Sequence, residues 1–240
     1  MAKTFEQVTP GQPEVCWITG PGGIGKTRVV SQALVDRAAS SRDLMVYGRS
    51  YDCESVPYGG VDAALDRLTR DLPAMVTDDP AIAAAVALFP VLKTRVTATE
   101  APQLNDRARA FAGVRTLLAK AAGGRQLILF LDDIERAGDD TAALLLDLLL
   151  PRDDELKLVI VATVRCDHGR HPWLDRIHER ATTRGQSLVE TDLSLGPLDS
   201  AACEALVRSV SEDPAFDYSE IAADAGGSPL VAELLARHGP

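Results

Sequence analysis

The sequence lacks the features that mark secreted and membrane-spanning proteins. No apolar run approaches the roughly 18 residues that a transmembrane helix needs, and the opening segment, MAKTFEQVTPGQPEV, contains no apolar signal core. The cysteines are far apart and form no CxxC pair, so neither a zinc knuckle nor a redox motif is expected. We predict a cytoplasmic protein with no membrane contact and with reduced, partly buried thiols at Cys16, Cys53, Cys166 and Cys203.

Positive charge is also in short supply. The chain has 25 lysines and arginines against 35 aspartates and glutamates, which gives a net charge of -10. Nucleic-acid binding depends largely on attraction between basic side chains and phosphates. We therefore predict no direct nucleic-acid binding by this chain, although a local basic cleft for a phosphate ligand remains compatible with the acidic total.

One short segment, RCDHGRHPW, carries the zinc-binding residue types Cys166, His168 and His171. Their spacing fits no common zinc framework, and no second ligand pair stands elsewhere in the sequence. We interpret the segment as a polar loop.

Apolar strands and amphipathic helices alternate through most of the 240 residues. Strands are predicted in EVCWITG, DLMVYGR, RQLILFLDD, LKLVIVATVR and SLVETDLSL. Helices are predicted near 26–39, 60–72, 78–92, 105–122 and 139–150, with Asp79 as the cap of the third, while 93–103 is predicted as a loop. After residue 199 the pattern indicates only short helices, near 199–211, 217–225 and 228–237.

This order of elements predicts an α/β fold with three layers around a parallel sheet. The strands LILFLDD and LVIVATV are apolar on both faces, as central strands of a parallel sheet are. The run of helices at the end indicates a small helical subdomain. We predict an α/β domain over residues 1–196 and the helical subdomain over residues 197–240.

A glycine-rich segment, GPGGIGKT, matches the phosphate-loop pattern G-x-x-x-x-G-K-[ST] between a strand and a helix. Glycine allows positive φ and leaves backbone N–H groups uncovered, and the helix start that follows favours anions. A chance glycine-rich turn is the alternative. We expect Lys26 to reach the β- and γ-phosphates and Thr27 to offer its hydroxyl to Mg²⁺. The predicted nucleotide-binding residues are Gly20, Pro21, Gly22, Gly23, Ile24, Gly25, Lys26, Thr27 and Arg28.

Two aspartates end the most apolar strand, where ligands bind in open α/β sheets. We predict that Asp132 holds Mg²⁺ through its water shell and that Asp133 orients or deprotonates the attacking water, with Glu135 as the second candidate for that role. The alternative is a pair of aspartates that only cap the following turn.

The next strand ends at Arg165, which we expect on the same sheet edge near the γ-phosphate, with Thr163 as a weaker candidate. An ordinary solvated or ion-paired arginine is the alternative. Three further arginines lie along one predicted helix, and one of them could reach a neighbouring subunit's phosphates. We favour a solvated face for Arg107, Arg109 and Arg115.

Together these segments resemble a known family. GPGGIGKTRVV, LILFLDDIERAGDDTAALLLDLL, LVIVATVR, GPLDSAACEALV and AGGSPLVAELL are similar to the STAND-type NTPases of the AAA/P-loop superfamily, above all to the ATPase domains of large bacterial signalling proteins. In those proteins the domain is joined to a kinase, an adenylate cyclase or a LuxR-type module. The resemblance covers residues 14–238.

The resemblance implies a P-loop nucleotide-binding domain with a helical lid, which binds ATP or ADP with Mg²⁺. It implies a switch in which ADP holds a closed state and ATP permits assembly, and it places Pro229 near the adenine. Members usually carry a GRE-like segment before the phosphate loop and a tryptophan after the paired aspartates, and both are missing here. We interpret the chain as an excised domain or a shortened member, with its effector missing or on another chain.

The predicted function is that of a signalling ATPase module that hydrolyses ATP slowly and associates with itself or with a partner effector domain. Three alternatives remain open. A ring-forming AAA+ motor would need an arginine finger and a pore loop. A non-catalytic scaffold would bind nucleotide for structure alone, and a small-molecule kinase would need an acceptor pocket.

Overall fold

The structure, a computed structural model, describes residues 8–51, 57–71, 74–99, 106–167, 171–211 and 217–238. Its strands are β1 (Glu14–Gly20), β2 (Leu44–Arg49), β3 (Met75–Thr77), β4 (Val96–Ala98), β5 (Gln126–Asp132), β6 (Lys157–Arg165) and β7 (Val189–Ser194). Its helices are α1 (Lys26–Ser40), α2 (Gly59–Asp71), α3 (Pro80–Leu88), α4 (Arg107–Ala122), α5 (Asp139–Leu149), α6 (Pro172–Thr183), α7 (Ser200–Val210), α8 (Tyr218–Asp224) and α9 (Pro229–His238).

Five strands form the main sheet in the order β2-β5-β6-β1-β7, and all its neighbours are parallel. Every residue of β5 is buried, as the two-sided apolar pattern of that strand predicted. Because parallel strands point the same way, the sequences that follow β1, β5 and β6 come out at one edge of the sheet. That edge carries the predicted phosphate loop, the paired aspartates and Arg165.

Helices cover both faces of the sheet. Successive residues of β1 point to opposite sides, so Val15 and Trp17 join the large apolar cluster formed with helices α2 to α6. Cys16 and Ile18 join a second cluster with Val30 of α1. The predicted three-layer α/β fold with a parallel sheet is therefore confirmed.

Helices α7, α8 and α9 have an apolar cluster of their own, built around Cys203, Val207, Ile221 and Ala232. The chain reaches them from β7 through a short connection in which the Leu195 N–H still bonds to the Thr19 carbonyl of β1 at 2.8 Å. The predicted division of the chain at residue 197 stays a prediction, and this separate cluster is compatible with it.

Three elements differ from the sequence-based prediction. Part of the predicted loop 93–103 forms β4, which pairs in parallel with β3, a strand that the sequence did not predict; three residues carry too little pattern to be recognised without the partner strand. The polar-loop interpretation of RCDHGRHPW is wrong at its end, because α6 begins at Pro172 and the Nδ1 of His171 accepts the Trp173 N–H at 3.1 Å. The buried residues of α6, which include Trp173 and Ile177, recur at helical spacing.

Cys16 and Cys203 are buried free thiols, and Cys166 is half-buried. Cys53 and His168 lie outside the described residues. Within the ranges given above, no three histidine, cysteine, aspartate or glutamate side chains come together in a way that could hold a metal ion. Among those same residues, no helix has both the length and the apolar character needed to span a membrane.

The arginines of α4 are engaged by neighbouring groups. Arg107 bonds to Asp140 and to the Tyr58 hydroxyl, and Arg109 pairs with Asp106 at 3.2 Å. The expectation of a solvated face is wrong for Arg115, which is 3% exposed. It falls on the wide buried face of α4, where it bonds to Asp154 and to the Leu148 carbonyl, so it is out of reach of a neighbouring subunit.

We predict that Arg115→Ala lowers the free energy of unfolding by about 2–4 kcal/mol, because it removes the donor from Asp154 and from a buried carbonyl. The matched control, Arg109→Ala on the exposed side of the same helix, should cost at most about 1 kcal/mol. Urea unfolding followed by the fluorescence of the buried Trp17 and Trp173 measures both. Equal losses in the two variants would contradict the buried role of Arg115.

Candidate functional site

The loop between β1 and α1 leaves the start of α1 free of capping side chains. Gly25 occupies the N-cap position with φ at +92°, a left-handed conformation that glycine adopts without strain, and α1 has no acidic residue in its first turn. By contrast, side chains cap α3, α4, α6, α7 and α8, and α5 has two aspartates in its first turn. The first-turn N–H groups of α1 are thus available to an anion.

Lys26 is buried against this loop. Its Nζ donates to the carbonyls of Gly20 and Pro21, at 2.9 Å each. Burial lowers the pKa of the Lys26 ammonium, and the nearby carboxylates of Glu135 and Asp133 act against that effect. Ile24 is buried under the loop, whereas Arg28 is exposed at the start of α1.

The carboxylate of Asp132 joins three elements of the sheet edge. It is fully buried, and its Oδ1 accepts the hydroxyls of Thr27 at 2.8 Å and Thr163 at 2.6 Å. The Thr163 oxygen in turn accepts the N–H of Asp133 at 2.8 Å. The structure therefore brings together two residues that the sequence assigned to magnesium, Thr27 and Asp132, and gives Thr163 a direct contact with the second of them.

Arg49 is a site residue that the sequence analysis missed. It ends β2, directly opposite Asp132 in the parallel register, and its guanidinium lies 2.8 Å from Asp133 Oδ2 and 3.7 Å from Asp132 Oδ2. Asp133 itself has φ at +53°, in the left-handed region, so its side chain turns toward Arg49 and away from the strand. The signal in the sequence was an arginine at a strand end, which gains meaning only once β2 is known to pair with β5.

Glu135 lies in the single turn of 3-10 helix, Ile134–Arg136, that follows the aspartates. Its carboxylate accepts the backbone N–H groups of Glu135 and Arg165, and its Oε2 is buried without a hydrogen-bond partner among the described residues. Burial raises the pKa of Glu135, and the two backbone donors act in the opposite direction. Glu135 is therefore placed beside Lys26 and Asp133 but not joined to either by a hydrogen bond in the described residues.

Arg165 extends from the end of β6 over the phosphate loop. A methyl group built on Gly22 would lie 3.0 Å from the Arg165 Cζ, so the guanidinium covers that glycine directly. Its Nε is 3.4 Å from Asp167 Oδ2, and the side chain is half exposed. The predicted position near the loop is thus observed, together with a weak, exposed ion pair.

A cleft of about 710 Å³ separates the sheet edge from helices α7 and α9. Its cationic lining residues are Lys26, Arg28, Arg49, Arg136, Arg165 and Arg237, and its only lining carboxylates among the described residues are those of Asp133 and Glu233. A chain with a net charge of -10 therefore concentrates positive charge at one place. The helical side of the cleft has an apolar patch of Leu206, Val210, Pro229 and Leu230, beside the polar side chains of Ser209, Glu233 and Arg237.

The part of the sequence that contains the phosphate loop and the paired aspartates matches a known family. The family described as AAA ATPase domain matches residues 1–161, which is more than half of the chain. The chain belongs to the AAA ATPase domain family. This membership makes the chain a nucleotide-binding ATPase module and confirms the predicted place in the AAA/P-loop superfamily. No curated protein sequence matches the chain.

Solved structures share the fold of this AAA ATPase domain. They include a signal transduction ATPase with numerous domains (STAND) protein that has a tetratricopeptide repeat sensor, from Pyrococcus horikoshii, with a TM-score of 0.53 at 16% identity over 95% of this chain and 28% of that one. The Aeropyrum pernix ORC2 protein, in its ADPNP and ADP complexes, gives 0.54 at 14% identity over 92% of this chain and 54% of that one.

Cdc6p from Pyrobaculum aerophilum gives a TM-score of 0.58 at 12% identity, over 97% of this chain and 57% of that one. The AAA ATPase domain thus spans between 28% and 57% of the lengths of these three proteins. The family match confirms the AAA ATPase part of the predicted resemblance, and the likeness to the STAND protein from Pyrococcus horikoshii is one of fold.

We predict a pH-dependent stability difference between the wild type and Glu135→Gln. Burial raises the folded pKa of Glu135 above its ordinary value of 4.5, so the folded chain holds this proton more tightly than the unfolded chain does. The contribution of Glu135 to stability is therefore present at low pH and is lost as the pH rises through the folded pKa.

Glutamine does not titrate, so the stability of the variant relative to the wild type should rise from about pH 4.5 upward and level off above the folded pKa. Urea unfolding over a pH series measures the difference. A difference that stays constant across the series would contradict the buried environment assigned to Glu135.

Proposed function

We propose that this AAA ATPase domain is a nucleotide-dependent switch that binds ATP and ADP with Mg²⁺ and hydrolyses ATP slowly. The observation that carries the proposal is the cleft itself, which has the phosphate loop and the paired carboxylates on one side and the helices α7 and α9 on the other. A ligand in this cleft contacts both parts. Residues 1–196 then form the nucleotide-binding domain and residues 197–240 its lid.

The lining of the cleft orients the nucleotide. The triphosphate lies against the uncapped start of α1, Lys26 and Arg165, where positive charge and free N–H groups meet. The base faces the apolar side, with Pro229, Leu206 and Val210 around it. Adenine is assigned through the family, because an apolar lining alone does not distinguish among bases.

The residues at the sheet edge fit a magnesium ion. Thr27 and Asp132 already lie in contact, and both offer oxygen, the ligand type that Mg²⁺ prefers. Oδ1 of Asp132 accepts two hydroxyls, and Oδ2 lies 3.5 Å from the Tyr47 hydroxyl and 3.7 Å from the Arg49 Nε. An ion or its water shell would therefore replace some of these contacts. Magnesium, when bound, neutralises phosphate charge and helps to align the γ-phosphate for attack.

Asp133 is our candidate for the group that orients the water and accepts its proton. Its ion pair with Arg49 holds the carboxylate at the sheet edge, and this contact occupies Oδ2, one of the two carboxylate oxygens that could contact the attacking water. Slow hydrolysis follows if Asp133 must leave Arg49 in each cycle. Arg165 extends over Gly22 and is placed to register whether the γ-phosphate is present.

A non-catalytic scaffold is the second candidate function. The observation that favours it is the same Arg49–Asp133 pair, which would leave the site without a working base if it never opened. For a ring motor, the arginines of α4 offer little support, since each already has a partner. Signalling in the cytoplasm, by self-association or through a partner domain and without nucleic acid, remains part of the proposal.

We predict that the freshly purified protein releases about one ADP per chain on denaturation, as a slowly exchanging switch would. Lys26→Ala should release none, because the variant loses the buried ammonium beside the phosphate loop. Lys120→Ala, at an exposed position on α4, is the matched control and should retain the nucleotide. Chromatography of the supernatant measures the content; equal nucleotide in all three proteins would contradict the assigned site.

We predict that Asp133→Asn lowers kcat for ATP hydrolysis by about 10²-fold or more while ATP still binds, since a positioned general base contributes about 10²–10⁴-fold. Glu135→Gln, two residues along the same turn, should retain most of the activity. Phosphate release and nucleotide affinity are measured together. A loss of turnover in Glu135→Gln alone would assign the general base to Glu135 instead of Asp133. Unchanged turnover in both variants would indicate that another group is the base.

A further inference from the structure

The first turn of α9 is completed by the phosphate loop. A helix begins with N–H groups that have no partner within the helix. Here Pro229 has no N–H, the Val231 N–H faces the Ser228 hydroxyl at 3.5 Å, and the Leu230 N–H donates to the carbonyl of Gly23 at 3.2 Å. One of the donors at the start of the lid helix is therefore satisfied by the backbone of the loop.

The side chain of Leu230 packs on the same glycine. A methyl group built on Gly23 would lie 3.0 Å from the Leu230 Cβ and 3.1 Å from its Cδ2, and Gly23 has φ at +75°. Leu230 thus constrains Gly23 in two ways, by a hydrogen bond to its carbonyl and by a side chain that occupies the space beside it where a Cβ would lie. Both contacts require that α9 lies against the loop.

The hydrogen bond constrains a group that can bind phosphate. The described backbone has no cis peptide bond, so the Ile24 N–H points opposite to the Gly23 carbonyl in the same planar unit. Fixing that carbonyl on α9 fixes the direction of the Ile24 N–H, away from α9. Lys26 constrains the earlier carbonyls of the loop, Gly20 and Pro21, in the same way from within the α/β domain.

We propose that Leu230 is a positioning residue for the phosphate loop, through which the position of the lid sets the affinity of the loop for phosphate. The inference rests on the proposed nucleotide site and adds a route of coupling that needs no contact between the lid and the nucleoside. By reciprocity, phosphate in the loop favours docking of α9 to the same degree.

A simpler role for Leu230 makes a different prediction. The side chain is 52% exposed and lines the cleft. In the simpler role, its sole function is to contact the base of the nucleotide, with no effect on the phosphate loop. Tripolyphosphate with Mg²⁺ separates the two roles, because it has neither base nor ribose. Leu234, one turn further along α9 and 50% exposed, does not line the cleft and provides the matched control.

The experiment measures the affinities for Mg²⁺–tripolyphosphate and for MgADP in the full chain by calorimetry. Leu230→Ala keeps the backbone donor and the Cβ but loses the Cδ2 contact that helps to hold α9 on the loop, and it should weaken both by about tenfold, within the usual range of coupling between sites. Leu230→Met, which can still cover Gly23, should restore both to near the wild-type values, and Leu234→Ala should change neither. Thermal unfolding of each variant checks that it is folded.

A loss of MgADP affinity with unchanged tripolyphosphate affinity would overturn the positioning role and leave only a base contact. Unchanged affinity for both ligands would overturn it as well. A wild type that binds neither ligand would instead overturn the proposed nucleotide site, and this inference with it.

A second measurement needs no variant. Hydrogen exchange at the Leu230 amide of the wild type should slow severalfold when tripolyphosphate and Mg²⁺ are added, because phosphate in the loop stabilises the bond to Gly23. Exchange that is unaffected by tripolyphosphate would overturn the coupling even if every variant failed to fold.

Discussion

The buried carboxylate of Asp132 is the constraint on which the arrangement of this sheet edge depends. Taking a charged group out of water is costly unless hydrogen bonds or opposite charges compensate. Here the compensation comes from three other elements: the Thr27 hydroxyl at the start of α1, the Thr163 hydroxyl in β6 and the Arg49 guanidinium at the end of β2. The same contacts therefore stabilise the fold and fix the spacing between the phosphate loop and the carboxylates.

Positive charge is concentrated at the cleft, although the net charge of the chain is -10. The parallel sheet brings several strand ends to one edge, and the basic residues placed there outnumber the acidic ones. A site of this kind attracts a phosphate ligand even though the net charge of the whole chain is -10. The apolar patch that α7 and α9 contribute then lies across the cleft from these basic residues.

Several groups that face the cleft already have hydrogen-bond or ion-pair partners within the protein. Lys26 is bonded to loop carbonyls, Asp133 to Arg49, and the start of α9 to Gly23. In the proposed switch, exchange of such internal partners for a nucleotide is the physical basis on which the ligand would shift the balance between two arrangements. The size of the shift is limited by the difference in ligand affinity between the two arrangements. The two arrangements themselves depend on helices α7 to α9, which pack around their own apolar cluster beside the sheet.

The sequence by itself determined the local features: the five strands of the main sheet, the phosphate loop, the aspartates at a strand end and the Asp79 cap of α3, because each of these depends on residues close together in the chain. It also determined the fold class, through the two-sided apolar strands β5 and β6. Only the tertiary structure decided that Arg49 faces the aspartates, that Arg115 is buried, that β4 pairs with β3 and that Leu230 covers Gly23. These contacts join residues far apart in sequence, and they follow from strand order and helix packing, which local periodicity does not encode.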